Sequence, residues 1–206
     1  KTPIDCTGDG DVAAAAGVPF TMGREEDGLC QPVTCMFMIG GLRFTQLHPY
    51  HIRDVVNDAA KACGVALPFS YERPFVLQLP NCDRCVVMWN HVRRKPPTDA
   101  EAFSEAELES RREIHQIMDY LKKYVPMFKD TELIMIAPQT GVRETRHIHG
   151  LHTLTRDECV EGTQFDDGIC DVEFAMDLHL PDKNEQDNIY LKGSYQIPYR
   201  CLVPQN

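Results

Sequence analysis

The stretch FVLQLPNCDRCVVMWN, residues 75–90, decides the fold class of this chain of 206 residues. Two apolar runs rich in β-branched and aromatic residues, 75–79 and 84–90, flank the turn-forming tetrad 80–83. Two such runs joined by so short a turn predict an antiparallel hairpin. Antiparallel strands need no helical crossover, so the hairpin argues against a doubly wound parallel sheet.

The sequence on both sides of the hairpin predicts two main helices. Residues 50–64 carry apolar side chains at three-four spacing, and Gly64 ends the pattern. Residues 98–124 open on a capping-box sequence and carry an apolar stripe. The remaining segments predict strands at 33–39, 133–137, 172–179 and 190–200, an extended segment at 141–155, short helices at 12–17 and 156–162, and a charged loop at 181–188. This irregular mixture predicts an α+β fold with a largely antiparallel sheet.

Composition and charge exclude several function classes. The formal net charge is −10, and an acidic surface repels phosphates, so no nucleic-acid partner is expected. No apolar run reaches the roughly 20 residues of a membrane span, so no membrane partner is expected. Most of the nine cysteines are expected to be reduced, small and buried, which favours a cytoplasmic location. The chain starts at Lys1, so a removed signal peptide stays an alternative.

The first candidate site is the turn DCTGDGD, residues 5–11, before a run of alanines. Glycines let a ligand approach the backbone, and the start of a helix offers free N–H groups. Such a turn can receive a pyrophosphate or hydrogen-bond a polyol; the alternative is an acidic turn that only caps a helix. The cofactor-binding candidates are Thr7, Gly8, Asp9, Gly10 and Asp11.

The second candidate site is GVRETRHIH, residues 141–149. In an extended chain Arg143 shares a face with the two histidines, and Arg146 lies on the opposite face. Arginine binds carboxylates through two hydrogen bonds, and histidine moves protons near neutral pH. The alternative is surface pairing with neighbouring carboxylates. The catalytic candidates are Arg143, Arg146, His147 and His149.

Two further clusters keep a metal-binding module among the alternatives. The first is His147, His149 and His152, which would give three imidazole ligands to zinc. The second is the CxxC pair Cys82 and Cys85, which is typical of redox pairs and of half a zinc or iron–sulfur site. Neither spacing is a complete signature, so no metal is predicted. No nucleophile elbow, HExxH, P-loop or GxGxxG occurs in the sequence.

Five motifs in order resemble one family, the bacterial FAD-dependent oxidoreductases distantly related to the flavin subunit of heterodisulfide reductase. The first motif, residues 5–11, looks like the family's second flavin-contact motif. The others are GREEDG at 23–28, GVRETR at 141–146, FDDGI at 165–169 and IPYRCL at 197–202. The sequence departs from the family pattern at His147 and His149, where an arginine and an aliphatic residue are usual.

The resemblance implies that the chain is an internal part of a Rossmann-type flavoprotein whose FAD domain is interrupted by a substrate or cap domain. Residues 1–30 would be the edge of the FAD domain, 31–198 the inserted domain, and 199–206 the start of the return. It further implies that Gly8 and Asp9 approach FAD, that Arg143 and Arg146 lie near the flavin–substrate face, and that Tyr199 and Arg200 re-enter the flavin domain.

The expected function is therefore hydride transfer from an unknown small molecule to FAD in the parent protein. The chain alone is expected to lack activity and to bind FAD weakly, since the dinucleotide-binding part would lie upstream. Its partners would be the small substrate and the rest of the flavoprotein. A metal-binding module and a non-catalytic interaction domain stay open as alternatives.

Overall fold

A computed structural model describes residues 3–42, 49–67, 74–93, 98–183 and 186–205. The chain divides into two compact units: a split unit of residues 1–31 and 144–206, and a continuous unit of residues 32–143. The helices are α1 Asp11–Ala15, α2 Pro49–Cys63, α3 Ala100–Tyr124 and α4 Arg156–Glu161. The strands are β1 Phe20–Met22, β2 Phe37–Gly40, β3 Phe75–Gln78, β4 Cys85–Met88, β5 Glu132–Ile136, β6 Arg146–Ile148, β7 Gly168–Val172, β8 Met176–His179, β9 Gln186–Ile189 and β10 Tyr195–Pro198.

The predicted α+β class is confirmed, with α2 and α3 as the two main helices. Every strand pair among the described residues is antiparallel. The strands form four separate sheets rather than one. The continuous unit holds a four-stranded sheet in the order β3-β4-β2-β5, and the split unit holds the two-stranded pairs β1–β6, β7–β10 and β8–β9.

The continuous unit is built around one large apolar core cluster and a smaller one formed by Val33, Val92 and Ala106. The predicted hairpin is present as β3 and β4, and one face of its sheet packs on both main helices. The predicted α3 stripe is buried. Of the predicted α2 stripe, half is buried, Val55 and Ala59 are partly buried, and Cys63 is exposed. The largest fully buried side chains include Trp89, Phe128, Ile39, Ile114 and Ile117. Each contributes about 1.5–3 kcal/mol through burial.

The start of α3 differs by one residue from the capping-box prediction. Asp99, not Thr98, is the N-cap, and its carboxylate accepts a hydrogen bond from the backbone N–H of Ala102 at 2.8 Å. The negative charge of an aspartate at this position also interacts favourably with the positive end of the helix dipole. The helix ends one residue before Val125, ahead of a 3₁₀ turn that begins at Pro126.

The split unit has shorter strands than the sequence predicts. The extended segment 141–155 contains only β6, and the predicted strand 172–179 is two strands, β7 and β8. Of the predicted strand 190–200, only β10 is a strand; residues 190–194 are irregular, and a 3₁₀ turn begins at Tyr199. The loop prediction for 181–188 is wrong at its end, where β9 pairs with β8; residues 184 and 185 lie outside the described residues. The polar sequence of β9 has low strand propensity, and its pairing with β8 overrides this.

The structure gives the state and burial of the cysteines and the apolar character of the helices. All nine cysteines are free thiols, as expected, but only Cys30, Cys35, Cys85 and Cys159 are buried. The sequence therefore predicted burial for more cysteines than are buried in the structure. Among the described residues, no helix has the length and apolar character needed to cross a membrane.

Candidate functional site

The acidic turn 5–11 is closed by its own side chains. The Asp5 carboxylate accepts hydrogen bonds from the Thr7 backbone N–H and hydroxyl, and from the Ala13 N–H at 2.8 Å. The Thr7 hydroxyl oxygen accepts from the Asp11 N–H at 2.8 Å. The bond from the Thr7 hydroxyl is the main reason that the pKa of Asp5 is lowered. The start of α1 is thus capped from within the turn, and its N–H groups at Asp11 and Ala13 are already used.

Thr145 and Arg146, at the start of strand β6, hold this turn through three hydrogen bonds. The Thr145 hydroxyl donates to Asp9 Oδ1 at 2.8 Å. The Arg146 guanidinium donates to the Asp9 carbonyl at 2.8 Å and to Asp11 Oδ1 at 2.7 Å. It also lies over the Phe20 ring, 5.5 Å from its centroid. The Arg146 side chain is only 16% exposed. The structure thus brings the predicted cofactor turn and one predicted catalytic arginine into one cluster.

Two glycines give the turn a packed side and an open side. Gly10 has φ 64°, and a Cβ there would lie 2.8 Å from Cδ1 of Ile148 on β6. Only glycine combines this conformation with such close packing. A Cβ on Gly8 would meet nothing within 4 Å. The Gly8 side of the turn is the side that a ligand can approach.

The predicted base His147 lies on the other face of β6, opposite Thr21 of β1, and forms a pair with Glu144. Its Nε2 is 2.8 Å from Glu144 Oε1, and Glu144 Oε2 accepts from the Gln31 N–H at 2.9 Å. The hydrogen bond with Glu144 raises the pKa of His147, and the same bond lowers the pKa of Glu144. The pair can share a proton between its two side chains, and more than half of the His147 side chain is exposed to solvent.

Arg143 lies outside strand β6, so the strand alternation from which a face shared with His147 and His149 was predicted does not apply to it. Strand β6 begins only at Arg146, and Arg143 belongs to the continuous unit. Its guanidinium donates to the Pro32 carbonyl and the Thr34 hydroxyl. The backbone of His149 donates to the Pro19 carbonyl and accepts from Gln205, both at 2.9 Å. Its ring has no hydrogen-bond partner among the described residues.

The third histidine of the predicted metal cluster is bound elsewhere. His152 Nε2 is 3.2 Å from Glu158 Oε2, and its ring contacts Phe165 edge-on at 5.6 Å. The Arg200 guanidinium lies 5.1 Å from the centroid of the Phe165 ring and pairs with Asp167. These contacts join the motifs 165–169 and 197–202, a link that spacing alone did not indicate.

The CxxC pair does not form a reactive site. Cys85 is buried, and burial raises the pKa of its thiol to about 11, so it holds little thiolate at neutral pH. The Cys82 thiol faces the Leu79 carbonyl at 3.8 Å within the hairpin turn. In the part of the chain that the structure describes, no group of three or more His, Cys, Asp or Glu residues is arranged to hold a metal ion.

Two residues of the site were missed as site residues in the sequence. Asp5 organises the turn, and the Asp-x-Thr spacing, which is typical of a turn closed by an aspartate side chain, is the signal for it. Thr145 is buried between charged neighbours and fixes Asp9. A small hydroxyl residue inside RETRH gives no comparable signal.

Comparison with known families agrees with the motifs that the cluster contains. A model of the family described as FAD dependent oxidoreductase matches residues 1–206, the whole chain. The chain belongs to the FAD dependent oxidoreductase family. No curated protein and no solved structure matches it significantly. Membership in the FAD dependent oxidoreductase family supports a flavin-linked redox role and FAD as the cofactor.

Proposed function

We propose that this chain supplies one edge of the FAD site in an oxidoreductase that takes a hydride from a small organic substrate. FAD, when bound, accepts the hydride and supplies the redox chemistry. The observation that carries the proposal is the lock between the turn 5–11 and Arg146, which fixes Asp9 and Asp11 in place. The more specific likeness to the flavin subunit of heterodisulfide reductase is part of the same proposal.

The donor and acceptor groups of the turn fit the sugar hydroxyls of FAD better than its pyrophosphate. Backbone N–H groups that would bind phosphate are used by Asp5 and Thr7. Asp9 and Asp11 each use one carboxylate oxygen to accept a hydrogen bond, from Thr145 and from Arg146, and the second oxygen of each has no partner among the described residues. A carboxylate oxygen accepts a hydroxyl hydrogen and repels a phosphate. Of the two ligand types predicted for this turn, the polyol is therefore favoured.

The chain's own residues divide the remaining work. Arg146 holds the Asp9 carbonyl and the Asp11 carboxylate in place, so its charge is largely used within the turn. His147, held by Glu144, is the residue we propose to take or give a proton, ahead of His149. The bonds of Arg143 to Pro32 and Thr34 favour a structural role for it, ahead of substrate binding.

The proposal includes the place of the chain in its parent. The remaining FAD-binding part would be its partner, and the chain alone would be inactive and bind FAD weakly. The continuous unit 32–143 lies wholly inside the inserted domain 31–198 that the resemblance implies. The assignment of 1–30, 31–198 and 199–206 to parts of a flavoprotein stays a prediction.

The test is FAD binding by the full parent protein carrying Asp9→Asn or Asp11→Asn. A hydrogen bond from a neutral hydroxyl to a charged acceptor contributes about 1.5–3 kcal/mol, so each change should weaken FAD binding by roughly 10- to 100-fold. Asp171→Asn on exposed β7 is the matched control and should leave the affinity unchanged. Isothermal titration of the apoprotein, with the visible flavin spectrum as a second readout, measures the affinity.

Pyrophosphate distinguishes the two ligand types. If the turn binds hydroxyls, Asp9→Asn should not improve the binding of inorganic pyrophosphate to the apoprotein. Unchanged FAD affinity in both aspartate variants would remove the turn from the FAD site. Stoichiometric FAD retained by the 206-residue chain after desalting would contradict the expected weak binding.

A further inference from the structure

The four-stranded sheet of the continuous unit is apolar on both faces. One face packs on α2 and α3 through alternate residues such as Val76, Val87 and Ile39. The residues between them are also apolar except at the start of β5, where the exposed Glu132 lies opposite Gly40. An antiparallel sheet with one solvated face would carry polar side chains along all its strands. Cross-strand pairs align Leu77 with Val86 and Val86 with Met38 on this second face.

A β-bulge widens the second face at β5. Met38 is opposite Met135, whereas Ile39 is opposite Leu133, so Ile134 is the extra residue. A Cβ added to Gly40 would lie 3.0 Å from Cδ1 of Ile134, which places that side chain over the second face. We call this surface the open sheet face; it is lined by Met36, Met38, Phe75, Leu77, Val86, Met88, Ile134 and Met135.

The open sheet face is left uncovered by the described residues. Its five most exposed side chains keep close to half of their surface in solvent: Met36 47%, Phe75 43%, Leu77 49%, Ile134 43% and Met135 52%. At about 200 Å² per large apolar side chain, this amounts to roughly 500 Å² on one molecule. That is as large as the largest apolar patch expected on a monomer, about 300–600 Å².

The shape and charge of this face narrow the choice of occupant. Ligand pockets are concave and bury most of a small molecule, whereas a flat sheet face can contact only one side of it. Membrane surfaces that attract proteins are anionic, and a chain of net charge −10 is repelled by them. The lining residues carry no charge, so a flat, uncharged protein surface is the complementary partner.

We propose that the open sheet face is the dimer interface between two copies of this chain. A symmetric pairing of the same face buries roughly 1,000 Å² in total, the lower limit for a specific interface. Because the eight lining residues are uncharged, the centre of the pairing contains none of the carboxylates that give each copy its −10 charge; Glu132 lies at its edge, at the start of the edge strand β5. Four of the eight lining residues are methionines, whose flexible side chains adapt to each other across such an interface. The two sheets would stack about 10 Å apart, as in a β-sandwich.

The test is the mass of the 206-residue chain by sedimentation velocity between about 1 and 100 µM, the range that suits an interface of this size. The chain should shift from 23.4 kDa toward twice that mass as its concentration rises. Leu77→Glu and Met135→Glu should each raise the dissociation constant at least about tenfold, because each places two carboxylates in the interface. Both side chains are half exposed, so the variants should fold, which Trp89 fluorescence verifies.

Leu108→Glu is the matched control, since Leu108 is 55% exposed on α3 of the same unit. It should dimerise like the unchanged chain. A chain that stays monomeric at about 100 µM would overturn the proposal and leave the face to a different protein partner. Dimers that persist in both glutamate variants, or that are lost equally in Leu108→Glu, would also overturn it.

Discussion

The continuous unit is held together by burial, whereas the split unit is held by hydrogen bonds and ion pairs. All residues of both apolar core clusters lie in the continuous unit. In the described part of the split unit, the buried hydrophobic side chains are only Cys30 and Cys159. Its order comes instead from pairs such as Arg146 with Asp11 and Arg200 with Asp167.

The difference separates a stable scaffold from a surface that can respond to a ligand. Apolar burial contributes stability without depending on pH or salt, whereas exposed ion pairs depend on both. The proposed cofactor contacts are in the split unit, so FAD bound there would add stability where the protein has least of its own. The two units should therefore react differently to the same kind of change.

The largest expected effect is Phe128→Ala in the continuous unit. Phe128 is fully buried, and truncation of such a ring leaves a cavity that costs about 3–5 kcal/mol in the free energy of unfolding. Urea unfolding followed by fluorescence measures it, because the chain has one tryptophan, Trp89, in the same core. Leu108→Ala, at an exposed position, should cost less than about 0.5 kcal/mol. Equal losses would mean that this core does not set the stability of the unit.

An intermediate effect is expected from Gly23→Ala in the split unit, compared with Gly17→Ala. Both glycines have positive φ, so both changes carry about 1–2 kcal/mol of backbone strain. A Cβ on Gly23 would also lie 2.4 Å from the Gly28 carbonyl oxygen, whereas Gly17 has open space. Gly23→Ala should therefore cost about 1–3 kcal/mol more.

Hydrogen exchange of the β1 and β6 amides measures the local opening free energy in these two variants. The amides of β2 and β4 in the continuous unit should exchange as before, since they belong to the other compact unit. A similar loss of protection in both glycine variants would contradict the role assigned to the Gly28 carbonyl.

The smallest effect is expected from His147→Gln, which removes a pH-dependent contribution. The raised pKa of His147 adds stability that is complete below its ordinary value of about 6.5 and is lost as pH rises through the raised value. The lowered pKa of Glu144 adds stability above about 4.5 that is lost as pH falls through the lowered value. The variant should be about 0.5 kcal/mol less stable near pH 5.5 and equal to the unchanged chain near pH 9.

Thermal unfolding at the two pH values measures the difference. His115→Gln, at an exposed position on α3, is the control and should show no such change between them. A loss of stability in His147→Gln that is equal at both pH values would mean that packing, rather than the Glu144 ion pair, explains it.

The fold was predictable where apolar periodicity is strong. The hairpin at 75–90 and the two long helices follow from local pattern, and the structure contains all three. Strand β9 was missed because Gln, Asp and Asn disfavour strands, and its pairing with β8 outweighs that preference. The division into four sheets depends on which strands meet across long sequence distances, and no local pattern records it.

The candidate site was predictable in its parts but not in its connections. The turn 5–11 and Arg146 were each proposed from local chemistry, yet the bonds that join them span more than 130 residues. The face shared by Arg143 and His147 was predicted from an unbroken strand, which the structure does not contain at Arg143. Residues 141–145 are not part of β6, so strand alternation does not apply to them.

The two ends of the continuous unit lie side by side. Thr34 pairs with Gly141 in an antiparallel bridge, and Arg143 bonds to Pro32. In the split unit, the backbone N–H of Gln31 donates to a carboxylate oxygen of Glu144, so the two chain segments that flank the continuous unit also meet. A segment whose ends meet can be inserted, lengthened or exchanged without moving the residues that flank it. Evolution can therefore replace the middle 112 residues, 32–143, as a cassette while the remainder keeps its contacts.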